Sequence, residues 1–314
     1  MTAPSVSLDD IHAARTRIRG YVRLTPVIDA APSKQPASNG RLTLKLECAQ
    51  VTGSFKPRGA ASRLTLLGEY ARRRGLVTAS GGNHGLAVAY AAWVEGAPAT
   101  IYLPRGAPAA KIAKIEAWKA RVIVEGESWD EANVAATKMA AREKLTYIHP
   151  FADPAVIAGQ GTVGLEVLDQ APTIDTLIVA IGGGGLIAGV ATAVKALRPD
   201  IRVIGVEPTG APTHFESRRA GELVTLETIA TRAGTLAPLR SEPINLEIIA
   251  KTVDDIVLVD DTEMLDAARW LWFELGVAAE LGGAAALAAL RAGRVAGGHV
   301  CVLVCGAGSD GVNG

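Results

Sequence analysis

Aromatic residues make up only 4% of this chain, and 32 basic residues are balanced by 32 acidic ones, so the formal net charge is zero. Base stacking and electrostatic attraction to a polyanion both lack their usual means, and no nucleic acid partner is expected. Apolar runs are short. The longest Ala/Leu run, Gly282 to Leu290, is far below a membrane span, so no membrane partner is expected either. Residues 1–15 are polar and lack the basic-then-apolar order of a secretory leader. Cysteine is scarce: Cys48, Cys301 and Cys305 make an odd number without metal-ligand spacing. That argues against a disulfide framework and for a reduced, cytoplasmic setting. The chain also has no internal repeat and no low-complexity tail.

What is present describes a large globular core. The 314 residues are 49% apolar and 20% charged, enough for two domains of ordinary size. Ser7 to Arg19 reads as a capped helix, and Arg41 to Glu47 as a strand with Leu42, Leu44 and Leu46 on one side. A helix is predicted from Pro57 to about Leu67. From Leu76 the pattern is strand, turn, helix, repeated: strands at Leu76 to Ala79, Thr100 to Leu103 and Arg121 to Glu125, helices at Leu86 to Val94, Ala107 to Ala120 and Trp129 to Lys144. This block, 69–149, reads as a small domain, with 1–68 and 150–314 forming a larger one. In the second part a helix follows Pro154, buried strands are predicted at Thr176 to Ile181, Val203 to Val206, Ile256 to Val259 and Val300 to Val304, and 208–247 reads as irregular. The expected fold class is α/β, with two open, twisted, mostly parallel sheets and flanking helices.

Three stretches carry chemistry. Gly53-Ser54-Phe55-Lys56-Pro57-Arg58 places one lysine at the mouth of a helix, because Pro57 suits the first helical position. A lysine becomes nucleophilic when burial and nearby positive charge lower its pKa, and Arg58 offers such a charge. Gly182-Gly183-Gly184-Gly185 follows a buried strand and opens a helix, which fits a phosphate on free N–H groups. Its spacing matches neither a dinucleotide fingerprint nor a P-loop. Ser80-Gly81-Gly82-Asn83-His84 is a second turn of this kind, able to grip a carboxylate and a phenolic oxygen. A poised lysine, a phosphate cradle and a carboxylate-gripping turn point to an aldehyde cofactor that carries a phosphate, pyridoxal 5'-phosphate.

These stretches, with Ala158-Gly159-Gln160-Gly161-Thr162, Val206-Glu207-Pro208 and Cys305-Gly306-Ala307-Gly308, make the chain resemble the fold-type-II pyridoxal phosphate enzymes almost end to end. Within that group it is similar to the serine/threonine dehydratase (threonine ammonia-lyase) branch, which also contains serine racemases. The resemblance implies that Lys56 holds the cofactor covalently and removes the substrate α-proton. Phe55 would pack near the pyridine ring and Asn83 would bind its phenolic oxygen. Gly182, Gly183, Gly184, Gly185 and Leu186 would hold the phosphate, and Cys305 would lie beside the ring nitrogen. Ser54 and the turn Ser80, Gly81, Gly82, Asn83 and His84 would bind substrate. The expected reaction is β-elimination from L-threonine or L-serine, giving a 2-oxo acid and ammonia, in a homodimer. A dehydratase for another hydroxy amino acid such as 3-hydroxyaspartate, a serine racemase, or a non-enzymatic regulatory protein on the same fold are the alternatives.

Departures from the family pattern refine this. Racemases of the group place a serine where Gly81 stands, so elimination is preferred over racemisation. Relatives that bind a divalent cation pair an acidic residue with an Asp six residues later. Here Glu207 is followed at that distance by Thr213, which with the Ala211 carbonyl makes a poor divalent site, so a monovalent cation or none is expected. Glu280 precedes Leu281 where the family usually has proline. The regulatory extension of biosynthetic threonine dehydratases has no counterpart here, so feedback by isoleucine is not expected.

Overall fold

The computed structural model describes residues 5–312. Two sheets organise the chain, both nearly all parallel. The larger has the order β1 (Val27–Asp29), β2 (Arg41–Leu46), β10 (His299–Val304), β7 (Thr176–Ala180), β8 (Arg202–Pro208), β9 (Asp255–Val259), with only β1 antiparallel. The smaller has the order β5 (Arg121–Val124), β4 (Ala99–Leu103), β3 (Leu76–Ala79), β6 (Thr146–Tyr147). The helices before and around the small sheet are α1 (Leu8–Arg17), α2 (Lys56–Leu64), α3 (Glu69–Arg74), α4 (Asn83–Val94), α5 (Ala109–Glu116) and α6 (Trp129–Glu143). Those of the second part are α7 (Pro154–Gln170), α8 (Gly185–Leu197), α9 (Thr213–Ala220), α10 (Pro243–Thr252), α11 (Asp261–Leu275) and α12 (Leu281–Arg291).

Burial explains the layers. Strands β7 and β10 are buried at every residue, as strands covered by helices on both faces must be. In the small sheet one face packs Leu76, Ile101 and Leu103 against α4, and the other packs Val77, Ala79 and Tyr102 against Ala132, Ala136 and Met139 of α6. Ala60 and Leu64 of α2 and Val156 of α7 join the first of these clusters, so the helix carrying Lys56 is tied to both sheets.

Three details differ from the sequence reading. Strand β2 is not one-sided: Thr43 and Lys45 are as buried as Leu42 and Leu44, because α7 and a charged network cover that face. Region 208–247 contains α9 and the start of α10, whose apolar positions are too few for a clear period in isolation. The short elements β1, β6 and α3 were also hidden, being only 2 to 6 residues long. The helix expected near the start is present as α1, with Ser7 as its cap, and residues 1–4 lie outside the described ones.

The chain reverses direction of growth once in each sheet. In the larger, β7, β8 and β9 run one way and β10 returns on the other side of β7. In the smaller, β3, β4 and β5 run one way and β6 returns on the other side of β3. Ligands of open α/β sheets bind outside the carboxyl ends of strands at such reversals. The segments leaving those ends are Gly182–Gly185 after β7, Cys305–Gly306 after β10, Ser80–Gly82 after β3, and His149–Phe151 after β6.

Candidate active site

These four segments converge on Lys56. The stretch before the lysine is stitched to the end of β10: Phe55 N–H donates to the Cys305 carbonyl at 3.2 Å, and Ala307 N–H donates to the Gly53 carbonyl at 2.8 Å. Ser54 and Gly306 form an isolated antiparallel bridge. Gly53 turns the chain with φ +84°, a region that favours glycine, and Pro57 sits in the first turn of α2. Lys56 Nζ donates to the Pro150 carbonyl at 2.8 Å, which brings the segment after β6 into the same place. Lys56 is half-buried. Burial lowers its pKa to about 8, against the opposing influence of Cys305 and Glu280.

Arg58 does not act on that lysine. Its guanidinium grips both Glu47 oxygens at 2.8 Å and donates to Glu166 at 2.7 and 2.9 Å, and Glu166 also pairs with Lys45. All four side chains are buried. The positive charge read beside Lys56 is therefore matched by two carboxylates, and desolvation alone accounts for the downward shift.

The glycine cradle is shaped by its neighbours. A Cβ on Gly183 would stand 2.2 Å from the Phe151 ring, and one on Gly185 would stand 2.4 Å from the Phe151 carbonyl. Gly184, at φ +94°, is the N-cap of α8, so the helix's free N–H groups open into the crevice. Leu186 lies inside α8 with its side chain in the core, leaving its backbone for any ligand. The Gly183 carbonyl takes hydrogen bonds from Ser241 Oγ at 2.9 Å and Asn245 Nδ2 at 2.8 Å, which anchors the loop from behind.

On the small-sheet side Gly82 is the N-cap of α4 and Asn83 its first residue, so Asn83 does not cap the helix. Its side chain instead donates to Glu280 Oε1 at 2.9 Å. Ser80 Oγ accepts from Gly82 N–H at 3.3 Å, and Gly81 and Gly82 are half-buried at the crevice. The His84 side chain is buried: its Nε2 bonds the Ile148 carbonyl at 3.0 Å, and burial lowers its pKa to about 3. Ser54 Oγ is buried without a hydrogen-bond partner, and Phe55 holds its ring 5.1 Å from Lys56 Nζ. Cys305 is buried, its thiol donating to the Gly282 carbonyl at 3.4 Å, and burial pushes its pKa up.

Glu280 is the residue the sequence reading passed over. It stands at the N-cap of α12, bonds Asn83, and its carboxyl is pushed above the ordinary value by burial, though Asn83 opposes this. Only its unusual neighbour Leu281 marked it. His149 was missed as well: its Nδ1 accepts from Phe151 and Ala152 N–H at 3.2 and 2.9 Å, which sets the Phe151 ring on the cradle. Glu207 proves to be a helix cap, its two oxygens accepting from His214 and Phe215 N–H at 2.8 Å each. Among the described residues no group of three or more His, Cys, Asp or Glu is arranged to hold a metal ion.

Known proteins share this arrangement over nearly the whole chain. The model of the family described as pyridoxal-phosphate dependent enzyme matches residues 18–306. The L-threonine ammonia-lyase of Thermotoga maritima is 39% identical over 306 residues, covering 97% of this chain and 76% of that protein. A serine racemase of Oryza sativa subsp. indica is 40% identical over 288 residues, covering 89% and 83%. The crystal structure of a threonine deaminase from T.th. superposes with a TM-score of 0.90 at 38% identity, covering 96% of this chain and 98% of that one. By sequence and fold over nearly its whole length, the chain thus belongs to the fold-type-II pyridoxal-phosphate dependent enzymes.

Proposed function

We propose that this protein is an ammonia-lyase that eliminates water from L-threonine or L-serine and releases an enamine, which takes up water again as it loses ammonia, yielding 2-oxobutanoate or pyruvate. The observation that carries the reading is the placing of Lys56, whose amine is held beside the crevice by the Pro150 carbonyl and has its pKa lowered to about 8 by burial. The titratable groups closest to it in charge are His84, His149, Glu280 and Cys305. Each is engaged elsewhere: His84 with Ile148, His149 with two amides, Glu280 with Asn83, and Cys305 with Gly282. A racemase needs a second proton carrier, and Gly81 has no side chain to serve.

The residues fit pyridoxal phosphate. The cradle is too tight for any Cβ at Gly183, the N-terminus of α8 faces it, and the buried Ser54 Oγ lacks a protein partner. When bound, the cofactor supplies the electron sink that makes the substrate α-proton removable. Lys56 would hold it and would take that proton, since an amine with a pKa of about 8 suits a base near neutral pH. Gly182–Gly185 and the Leu186 N–H would hold the phosphate, Asn83 would bind the phenolic oxygen, and Phe55 would pack at the ring. Ser80, Gly81 and Gly82 carry the substrate carboxylate on the turn. The His84 side chain supports that turn from within. Cys305, kept neutral by burial, would give the ring nitrogen no negative charge, which would favour elimination over transamination.

The same proposal takes 69–149 as a small domain set against 1–68 and 150–314, and the working unit as a homodimer in the cytoplasm. No described helix is long and apolar enough to cross a membrane, and all three cysteines are unpaired. The deciding experiment is incubation with L-threonine, L-serine and threo-3-hydroxyaspartate in turn, assaying 2-oxo acid and ammonia. No product from threonine or serine sinks the reading, and product from hydroxyaspartate alone replaces it with the alternative substrate.

A further inference from the structure

A buried polar atom without a partner costs about 1–3 kcal/mol, so such atoms are few and usually point to something. Among the described residues, His214 is the one side chain with two of them, both ring nitrogens. It is fully buried in the first turn of α9. Its backbone is fixed by the Glu207 carboxylate, which accepts from the N–H groups of His214 and Phe215. The ring lies against the glycine cradle: a Cβ on Gly184 would stand 2.6 Å from Nε2 and 2.8 Å from Cε1. The Gly183 carbonyl is near enough to favour a protonated ring, yet it is already bonded to Ser241 and Asn245 and forms no well-aligned hydrogen bond with the imidazole. Burial outweighs that influence and keeps the ring neutral, with one N–H donor and one acceptor nitrogen. Asn245 Oδ1, on the side chain whose Nδ2 bonds the same carbonyl, is also unpartnered.

An apolar side chain would fill this space without leaving polar atoms stranded. The imidazole therefore needs a partner that the protein does not supply, and the cradle it touches is the reading's phosphate site. We propose that His214 is a further anchor of the cofactor phosphate, its ring N–H donating to the anion held by Gly182–Gly185, directly or across one buried water. The inference rests on that loop being the phosphate cradle.

The test compares pyridoxal 5'-phosphate with pyridoxal, which lacks the phosphate. Cofactor is removed from the purified holoenzyme, and both compounds are titrated into wild type, His214→Phe and His214→Asn. The expected result is that His214→Phe binds pyridoxal phosphate roughly 10- to 100-fold more weakly, the loss of one hydrogen bond to a charged group, with pyridoxal binding unchanged. His214→Asn, which keeps a donor, should recover part of the affinity. Wild-type affinity for pyridoxal phosphate in His214→Phe, or equal weakening of both compounds, overturns the proposal. Failure of wild type to prefer pyridoxal phosphate over pyridoxal overturns the cradle itself. Should His214→Phe not fold, wild type labelled with 15N-histidine decides: adding inorganic phosphate must shift the resonance that is missing in His214→Asn, and an unmoved resonance overturns the proposal.

Discussion

Asn83 Nδ2 donates to Glu280 Oε1 across 2.9 Å, and this single bond joins the first turn of the small-sheet helix α4 to the N-cap of α12 under the large sheet. It also decides which way the Asn83 amide points, since an oriented acceptor leaves one defined donor for a ligand. Glu280→Ala should therefore weaken cofactor binding and lower kcat, by about fivefold if one ordinary hydrogen bond of about 1 kcal/mol is lost. Glu280→Gln keeps an acceptor and should lie nearer wild type. Absorbance titration and steady-state kinetics check this, and an alanine variant equal to wild type in both would remove Glu280 from the site.

The Lys56 amine gives a pH dependence of definite sign. Only the neutral amine is a nucleophile, and its pKa of about 8 lies below the ordinary 10.5. Capture of pyridoxal phosphate by cofactor-free protein should slow about tenfold per pH unit below that value and level off above it. Stopped-flow absorbance reads the rate, and a flat profile between pH 6 and about 9 would contradict the lowered pKa.

Lys56 also strains the cofactor-free fold. Its folded pKa is depressed, so at neutral pH both states carry the proton and the folded state bears the penalty of enclosing it. That penalty lifts as pH rises from about 8 to 10.5, the window in which the unfolded chain binds more protons. Lys56→Met should abolish the yellow colour of the holoenzyme and all turnover. In cofactor-free protein at pH near 7 it should be more stable than wild type by on the order of 1–3 kcal/mol. Urea denaturation of the two cofactor-free proteins measures the difference, and a less stable methionine variant would count against burial as the cause.

Arg58 makes the opposite case. It is buried between Glu47 and Glu166 and satisfies both. Arg58→Met would leave one carboxylate with Lys45 and the other with Thr25 alone among these partners. Removing one member of such a buried network costs about 3–5 kcal/mol. Thermal unfolding should show a large drop, and a shift within a degree or two would show the network to be dispensable.

Gly81→Ser tests the preference for elimination. A Cβ there meets Leu103 Cδ2 at 3.1 Å, a contact that a flexible side chain can relieve. By resemblance to the racemases, the new hydroxyl supplies the missing proton carrier. Chiral chromatography of reactions with L-serine should then reveal D-serine where wild type gives none. D-serine from wild type would refute the argument from Gly81.

Most of the strand–helix order was legible because fully buried parallel strands read as unbroken apolar runs, as 176–181 and 300–304 do. The helix starts beside Lys56 and after Gly182–Gly184 were legible because glycine and proline report backbone geometry locally. What stayed hidden depends on contacts between distant residues. Arg58 looked like a neighbour of Lys56 in sequence, but Glu166 lies 108 residues away and takes its charge. His84 looked like part of the substrate turn, but Ile148 claims its ring. Glu280 had no motif of its own, and only Asn83, 197 residues distant, shows what it does.

The stitching of Gly53–Phe55 to Cys305–Ala307 has a consequence for the order in which the site can come into being. The lysine is synthesised early, yet the strand beside it, β10, is made after both β2 and β7 and must slot between them. A nascent chain that has β2 and the cradle but not β10 holds Lys56 without the Phe55–Cys305 bond that fixes it. With Lys56 in its proposed role, capture of the cofactor would then signal that the middle of the large sheet has closed.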